Sequence, residues 1–235
     1  VSSLCEVLNV AASDGMDLAQ AADIVGGTLR GFNLNADQAQ RISDILAYTS
    51  GHSATNVAMA GAALQGFSGT AALQNITPER AAAYIGVLAN RGNIQGAEAA
   101  TTLERVISAL SVQKGDTGKV LQKYGIAVAS RDGRMRTLES IVTELFNKTE
   151  KSGAKGQQAA FMQVFGKAYG GAMLKFAGGV RAGELEELMT GLNTGKEGAA
   201  AQMTTKRNDT LQGDITSLSS AWEGLMIKIG AALTP

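Results

Sequence analysis

Between its glycines the chain repeats apolar residues at every third or fourth position along almost its whole length, and only two prolines interrupt 235 residues. That spacing is the period of an α-helix with one buried face. The sequence is thereby confined to a helical fold whose helices are cut by glycine rather than by proline. The 29 glycines add a second constraint, because a glycine inside a helix costs about 1 kcal/mol relative to alanine. Most of them belong at helix ends or at crossings where two backbones come close. The apolar residues are mainly Ala, Leu, Val, Ile and Met, with aromatics at 5%, which suits close packing of helix on helix. The fold class read from this is all-α, a multi-helix globular domain of packed helical hairpins with a long C-terminal helix.

Met16, Leu18, Ala21, Ala22, Val25 and Leu29 predict a helix from Asp14 to Arg30, capped by Ser13 or Asp14 and stopped at Gly31. A second helix is predicted from about Ala36 to Tyr48, with Ala39, Ile42, Ile45 and Leu46 buried and a turn at 50–53. An Ala-rich helix follows at Asn56–Gln65. Thr77-Pro78-Glu79 is the clearest helix start in the chain, with a capping hydroxyl, proline at the first helical position and an acid facing the dipole. That helix stops at Gly92, and the next, Ala97–Leu110, turns Leu103, Val106, Ile107 and Leu110 inward. A shift of 61 positions maps Ala21, Ile24, Arg30, Gly31 and Ile42 onto Ala82, Ile85, Arg91, Gly92 and Leu103, an echo read as a repeated helical hairpin.

Further on, Asp132-Gly133 is a turn signal, so 126–136 reads either as a small β-hairpin or as a plain loop. Helices are expected at Leu138–Asn147, Gln157–Lys167, Gly171–Phe176 and Glu184–Leu192, with a hinge at Tyr169-Gly170-Gly171 and a break at Gly178-Gly179. In the last stretch Leu211, Ile215, Leu218, Trp222, Leu225 and Ile229 alternate spacings of four and three, a heptad seam. The seam either packs within the chain or joins copies in a coiled coil. Three regions are expected: repeated hairpins over 1–112, shorter helices with glycine hinges over 113–195, and a long exit helix over 196–235. Val1 is not an initiator Met, which reads as a piece of a longer chain.

Composition and motifs narrow the chemistry. Lys plus Arg and Asp plus Glu number 21 each, so no net field steers the chain toward nucleic acid. The longest apolar stretches, Ala58–Leu64 and Leu225–Leu233, fall short of the roughly 20 residues of a membrane span. One histidine and one cysteine cannot build a tetrahedral zinc shell. His52 sits among Ser50 and Ser53 in a turn and reads as solvated or cap-bonded rather than catalytic, and Cys5 as an incidental thiol. Both Gly-Lys pairs, Gly166-Lys167 and Gly195-Lys196, lack the early glycine and the following Ser or Thr of a phosphate loop. Glu184, Glu186 and Glu187 read as a solvated helix start, and no two carboxylates stand out as an acid and base. No catalytic, metal or cofactor site is expected.

Several segments, in order, resemble the phage tail tape-measure family in its folded minor-tail-protein region. Thr77–Leu103, TPERAAAYIGVLANRGNIQGAEAATTL, is similar to the family's acidic helix start, its Val-Leu-Ala-Asn-x-Gly stop and its following helix. Asn93 is an added residue in that turn, and Ala100 stands where the family usually has glycine. Arg41–Leu64 resembles the preceding helix with its aspartate, here Asp44, and a Ser-bearing turn. The YGI and RDGRMRTL pieces around Gly125 and Gly133, VFG at Val164–Gly166, and the end from Thr210 with Leu218, Ile229, Gly230 and Pro235 complete it.

The resemblance implies a structural tail protein without enzymatic activity, a module of the tape measure that sets tail length and acts in tail assembly and DNA delivery. It implies tail tube proteins, tail tip proteins and tail assembly chaperones as partners, self-association as a trimer or hexamer, and a place in the virion tail lumen after assembly in the host cytoplasm. Two other readings compete with it. One is a cell-wall-degrading tail enzyme, against which the lack of an acid and base pair speaks. The other is a secreted helical adaptor of the Trp-x-Gly type, suggested by Trp222-Glu223-Gly224, which here falls inside a helical pattern.

Overall fold

The computed structural model describes Val10, residues 16–206 and Asp209. Cys5, the Trp222 motif, the proposed caps Ser13 and Asp14, and the seam from Leu211 to Ile229 lie outside the described residues.

The chain is all-α. Its helices are α1 (Leu18–Gly31), α2 (Ala39–His52), α3 (Val57–Leu73), α4 (Pro78–Gly92), α5 (Gly96–Val112), α6 (Asp116–Lys123), α7 (Leu138–Thr149), α8 (Gly153–Phe165), α9 (Gly170–Arg181) and α10 (Glu184–Thr194), with short 3-10 turns at Ala36–Gln38 and Glu150–Ser152. Residues 199–206 begin a further helix, called the exit helix below. Asp17 caps α1, its carboxylate accepting from the Ala19 amide at 3.0 Å. Thr77 caps α4 and Pro78 opens it, as the sequence predicts. Asn93 takes the left-handed conformation that ends α4, with φ 54°. The loop 126–136 closes through a single antiparallel bridge between Ala129 and Met135 around the Asp132-Gly133 turn.

Two layers of parallel helices organise the first half. In one, α3 lies between α1 and α5. Gly61 faces Ile24, Gly31 faces Ser68, Gly66 faces Ala100, and Thr70 donates to Glu104 at 3.4 Å. Contacts advance in the same direction along all three helices, so the three run parallel. In the other layer α2 runs parallel to α4, with Arg41 on Glu79 and the Ala54 amide on Asn90 at 2.7 Å. The 61-residue echo holds for element boundaries, since α1 shifted by 61 covers 79–92. It relates a helix of one layer to a helix of the other, so the two copies do not take equivalent places in the packing. Both copies share the Arg-Gly stop, and the echo follows that stop rather than a packing unit.

The second half closes on α4. Gly179 of α9 meets Val87, Gly86 meets Leu188 of α10, and Tyr84 stacks edge-on against Phe176 at 5.7 Å. Phe146 of α7 meets Phe161 of α8 edge-on, and Arg181 covers the Phe146 ring. One continuous apolar core runs from Val10 to Leu192. Gly178-Gly179 does not break α9, contrary to the sequence expectation. Only glycine lets α9 approach Val87 so closely at position 179, and that packing outweighs its helix cost. Residues 50–52 complete α2 instead of forming a turn, and α3 runs two turns beyond Gln65.

Candidate functional site

Four residues of α2, Arg41, Asp44, Tyr48 and Gly51, are spaced by three or four positions and so share one face. The opposite face, Ile42, Ile45, Leu46 and Thr49, is sealed in the core. The shared face receives the chain as it leaves α10 and starts the exit helix.

The exit helix begins after Gly198, whose φ is +73° and which has no side chain with which to cap. Asp44 takes that role from 154 positions away. It is 3% exposed, and its carboxylate accepts from the Gly198 amide at 3.1 Å and the Ala200 amide at 3.0 Å. Ala200 is the second residue of the exit helix, the position whose N–H a capping side chain ordinarily satisfies. A carboxylate there also faces the positive end of the helix dipole.

Beside this cap lies a second carboxylate. Glu79, in the first turn of α4 and 5% exposed, takes a two-pronged hydrogen bond from Arg41, with Nε and one terminal nitrogen each at 2.7 Å. Lys196 approaches it at 3.4 Å and donates to the Leu192 carbonyl at 2.7 Å, closing the end of α10. Burial pushes the Glu79 carboxyl up, but the Arg41 hydrogen bonds and the charges of Arg41 and Lys196 outweigh it and hold it below its ordinary value. The Arg41 guanidinium is correspondingly raised by its bond to Glu79.

Shape completes the clasp. The Tyr48 hydroxyl sits over Gly191 of α10, where any Cβ would collide with it. Tyr48 stacks on His52 at 3.9 Å, and the His52 Nδ1 lies 2.9 Å from the Tyr48 carbonyl oxygen. Gly51 and Ser50 meet Met203 of the exit helix. His52 is therefore the last residue of α2, bonded at a helix end.

The arrangement fixes chain direction. Its carboxylates are engaged by backbone amides or by cations. Among the described residues no group of three His, Cys, Asp or Glu could hold a metal ion, and no helix is long and apolar enough to cross a membrane. Glu184, Glu186 and Glu187 open α10, but only the last two are solvated as expected; Glu184 is partly buried and pairs with Arg91. Of the clasp residues, sequence pointed to Asp44 alone, through resemblance. The contacts that join the elements of the clasp span 38 to 156 positions, beyond any periodicity.

Residues 2–166 match the phage-related minor tail protein family, 165 of the 235 residues. A tape measure protein of Pneumococcus phage Dp-1 is 26% identical over 230 residues, which cover 97% of this chain and 20% of that protein. A probable tape measure protein of Escherichia phage P2 is 26% identical over 220 residues, 93% of this chain and 27% of that protein. The chain thus spans about a fifth to a quarter of the length of these relatives. No solved structure gives a significant match.

Proposed function

This chain belongs to the phage-related minor tail protein family, and on that footing we propose that it is the folded module of a tape measure protein, a compact body that launches a helical segment through the clasp on α2. The observation that carries the reading is the exit helix, whose first turn is held by a buried carboxylate of the body and whose direction is thereby set. A helix advances about 1.5 Å per residue, so residue count converts to length in an extended segment. Helices of 8 to 17 residues packed on one another cannot act as such a ruler themselves. The body anchors, and longer segments of the parent protein measure.

In this reading the parent acts in tail assembly and DNA delivery, with tail tube and tail tip proteins and assembly chaperones as partners, in the cytoplasm first and the tail lumen afterwards. The regions 1–112 and 113–195 form the body and 196–235 the exit. The seam Leu211, Ile215, Leu218, Trp222, Leu225 and Ile229 joins copies as a trimer or hexamer, which sedimentation equilibrium of the chain reads directly; a monomer at micromolar concentration would remove that part. No catalysis is involved, and a zymogram on bacterial cell wall should show no clearing.

The decisive experiment alters the parent gene in its own phage and measures tails by electron microscopy. Removing about 50 residues outside this module should shorten tails by roughly 75 Å. Removing the module should abolish tails. Tails that form without it and shorten only in proportion to the residues lost would defeat the proposal.

A further inference from the structure

We propose that the groove between the α3–α4 turn, the 133–138 turn and α10 docks an acidic, extended segment of a partner protein that carries one or two large apolar side chains. The groove encloses about 700 Å³, room for several side chains rather than an ion. Ile76, Met135 and Met189, each partly buried, line it among polar residues. Leu73, at the end of α3, stands on its rim with 83% of its surface exposed. The large hydrophobic residues elsewhere on the described surface are markedly less exposed. A leucine presented so fully beside the partly exposed Ile76, Met135 and Met189 is what a docking partner covers.

Charge selects the partner. Arg80, Arg134 and Arg136 line the groove, and no Asp or Glu does. Their internal partners stand outside the lining: Glu139 at 3.0 Å from Arg80, Glu144 at 2.8 Å from Arg136 and Asp132 at 3.8 Å from Arg134. A guanidinium carries five N–H donors in a fork that fits a carboxylate. Arg134 has its side chain 80% exposed and spends only the long contact to Asp132. Arg136 is taken up by Glu144, the Ala127 carbonyl and the Ser140 hydroxyl, and Arg80 by Glu139, so Arg134 is the guanidinium that keeps donors for an incoming carboxylate beside Leu73, the complement of an acid flanking a leucine or phenylalanine. The chain as a whole is neutral, so this polarity is local to the groove. The inference stands apart from the tape-measure reading, since it needs only the groove's own shape and charge.

A panel of fluorescent dodecapeptides tests it, in which two Leu or Phe occupy every pair of positions among Asp and Glu, each matched to a twin with Lys in place of the acids. Anisotropy is measured against the 235-residue chain at low and high salt. At least one acidic member should bind more than tenfold tighter than its Lys twin, and added salt should weaken it. Arg134→Glu and, separately, Leu73→Asp should each cost tenfold or more in affinity. Arg105→Glu, on the exposed face of α5 outside the groove, should leave it unchanged, and circular dichroism checks that each variant stays folded. No acidic preference anywhere in the panel, or binding indifferent to Arg134→Glu, overturns the proposal. So does a dimer of the chain that Leu73→Asp dissolves, because the groove would then belong to a second copy.

Discussion

Asp44 and Ala200 are 156 positions apart, yet the carboxylate of one caps the helix that begins at the other, with Oδ1 3.0 Å from the amide nitrogen. A helix whose own capping position is glycine has handed that role to the body on which it rests. Losing an N-cap carboxylate costs about 0.5–2 kcal/mol. Asp44→Ala should therefore free the exit helix while leaving the body intact. Hydrogen exchange should show faster exchange in residues 199–206 and unchanged protection in α4. Equal protection of 199–206 in both proteins would show that the cap does not hold the helix.

Glu79 joins α2, α4 and the residue after α10 through Arg41 and Lys196. Glu79→Gln leaves both cations short of a partner. Breaking a buried pair costs about 3–5 kcal/mol, and since the Arg41 side chain keeps 34% of its exposure, about 2–3 kcal/mol is expected. Urea denaturation should show a lower midpoint with an unchanged slope. The pH dependence has a definite sign. The folded Glu79 carboxyl titrates below its ordinary 4.5, so its stabilisation is complete above that value and is lost as pH falls through the folded value. The gap between wild type and Glu79→Gln should be widest near neutrality and narrow below about pH 4.5. A gap that widened in acid would contradict the pairing.

Two glycines in neighbouring helices separate the two uses of that residue. A Cβ at Gly191 would strike the Tyr48 hydroxyl and ring, whereas one at Gly178 would meet nothing within 4 Å. Gly191→Ala should destabilise by about 1–3 kcal/mol through overpacking. Gly178→Ala should stabilise by about 0.5–1 kcal/mol by restricting the unfolded chain and favouring helix. Thermal denaturation of the pair checks both signs, and a loss at Gly178 equal to that at Gly191 would mean that space does not decide between them.

The same contrast explains what could be read in advance. Helix starts with local chemistry were legible: Thr77-Pro78 opens α4 at the predicted residue, and Leu138 opens α7. Glycine was ambiguous, because a stop and a crossing look alike in sequence. Gly178-Gly179 reads as a break, and only the closeness of Val87 shows that Gly179 serves packing. Gly66 and Gly69 hid the true length of α3 in the same way. The eight-residue α6, Asp116–Lys123, carries too few apolar positions to show a period and was missed. The clasp was hidden for a different reason. Glu79 reads as the acid of a helix start and Lys196 as half of a failed phosphate loop, and neither reading pairs them with Asp44 or Arg41, because these residues meet only once α2, α4 and the end of α10 are packed.

Tyr84 offers a probe of the opposite linkage. It is fully buried in α4 and donates to the Glu139 carboxylate at 2.5 Å, with Arg80 on the same carboxylate. Burial above all, and then the neighbouring Glu139 charge and its hydrogen bond, push the Tyr84 hydroxyl far above its ordinary 10.0. A group whose folded value is raised contributes stability that is present below its unfolded value and is lost as pH rises. In alkaline titration followed by phenolate absorbance, wild type and Tyr84→Phe should therefore match up to about pH 11, while both stay folded. Tyr84→Phe also removes a donor from a half-buried carboxylate, which costs about 1–3 kcal/mol at neutral pH. That deficit should shrink once the unfolded tyrosine ionises above about pH 10, because the wild-type unfolded state alone then gains the phenolate. An extra phenolate in wild type near pH 10, with the fold intact, would mean that Tyr84 reaches solvent and that the bond to Glu139 does not hold it.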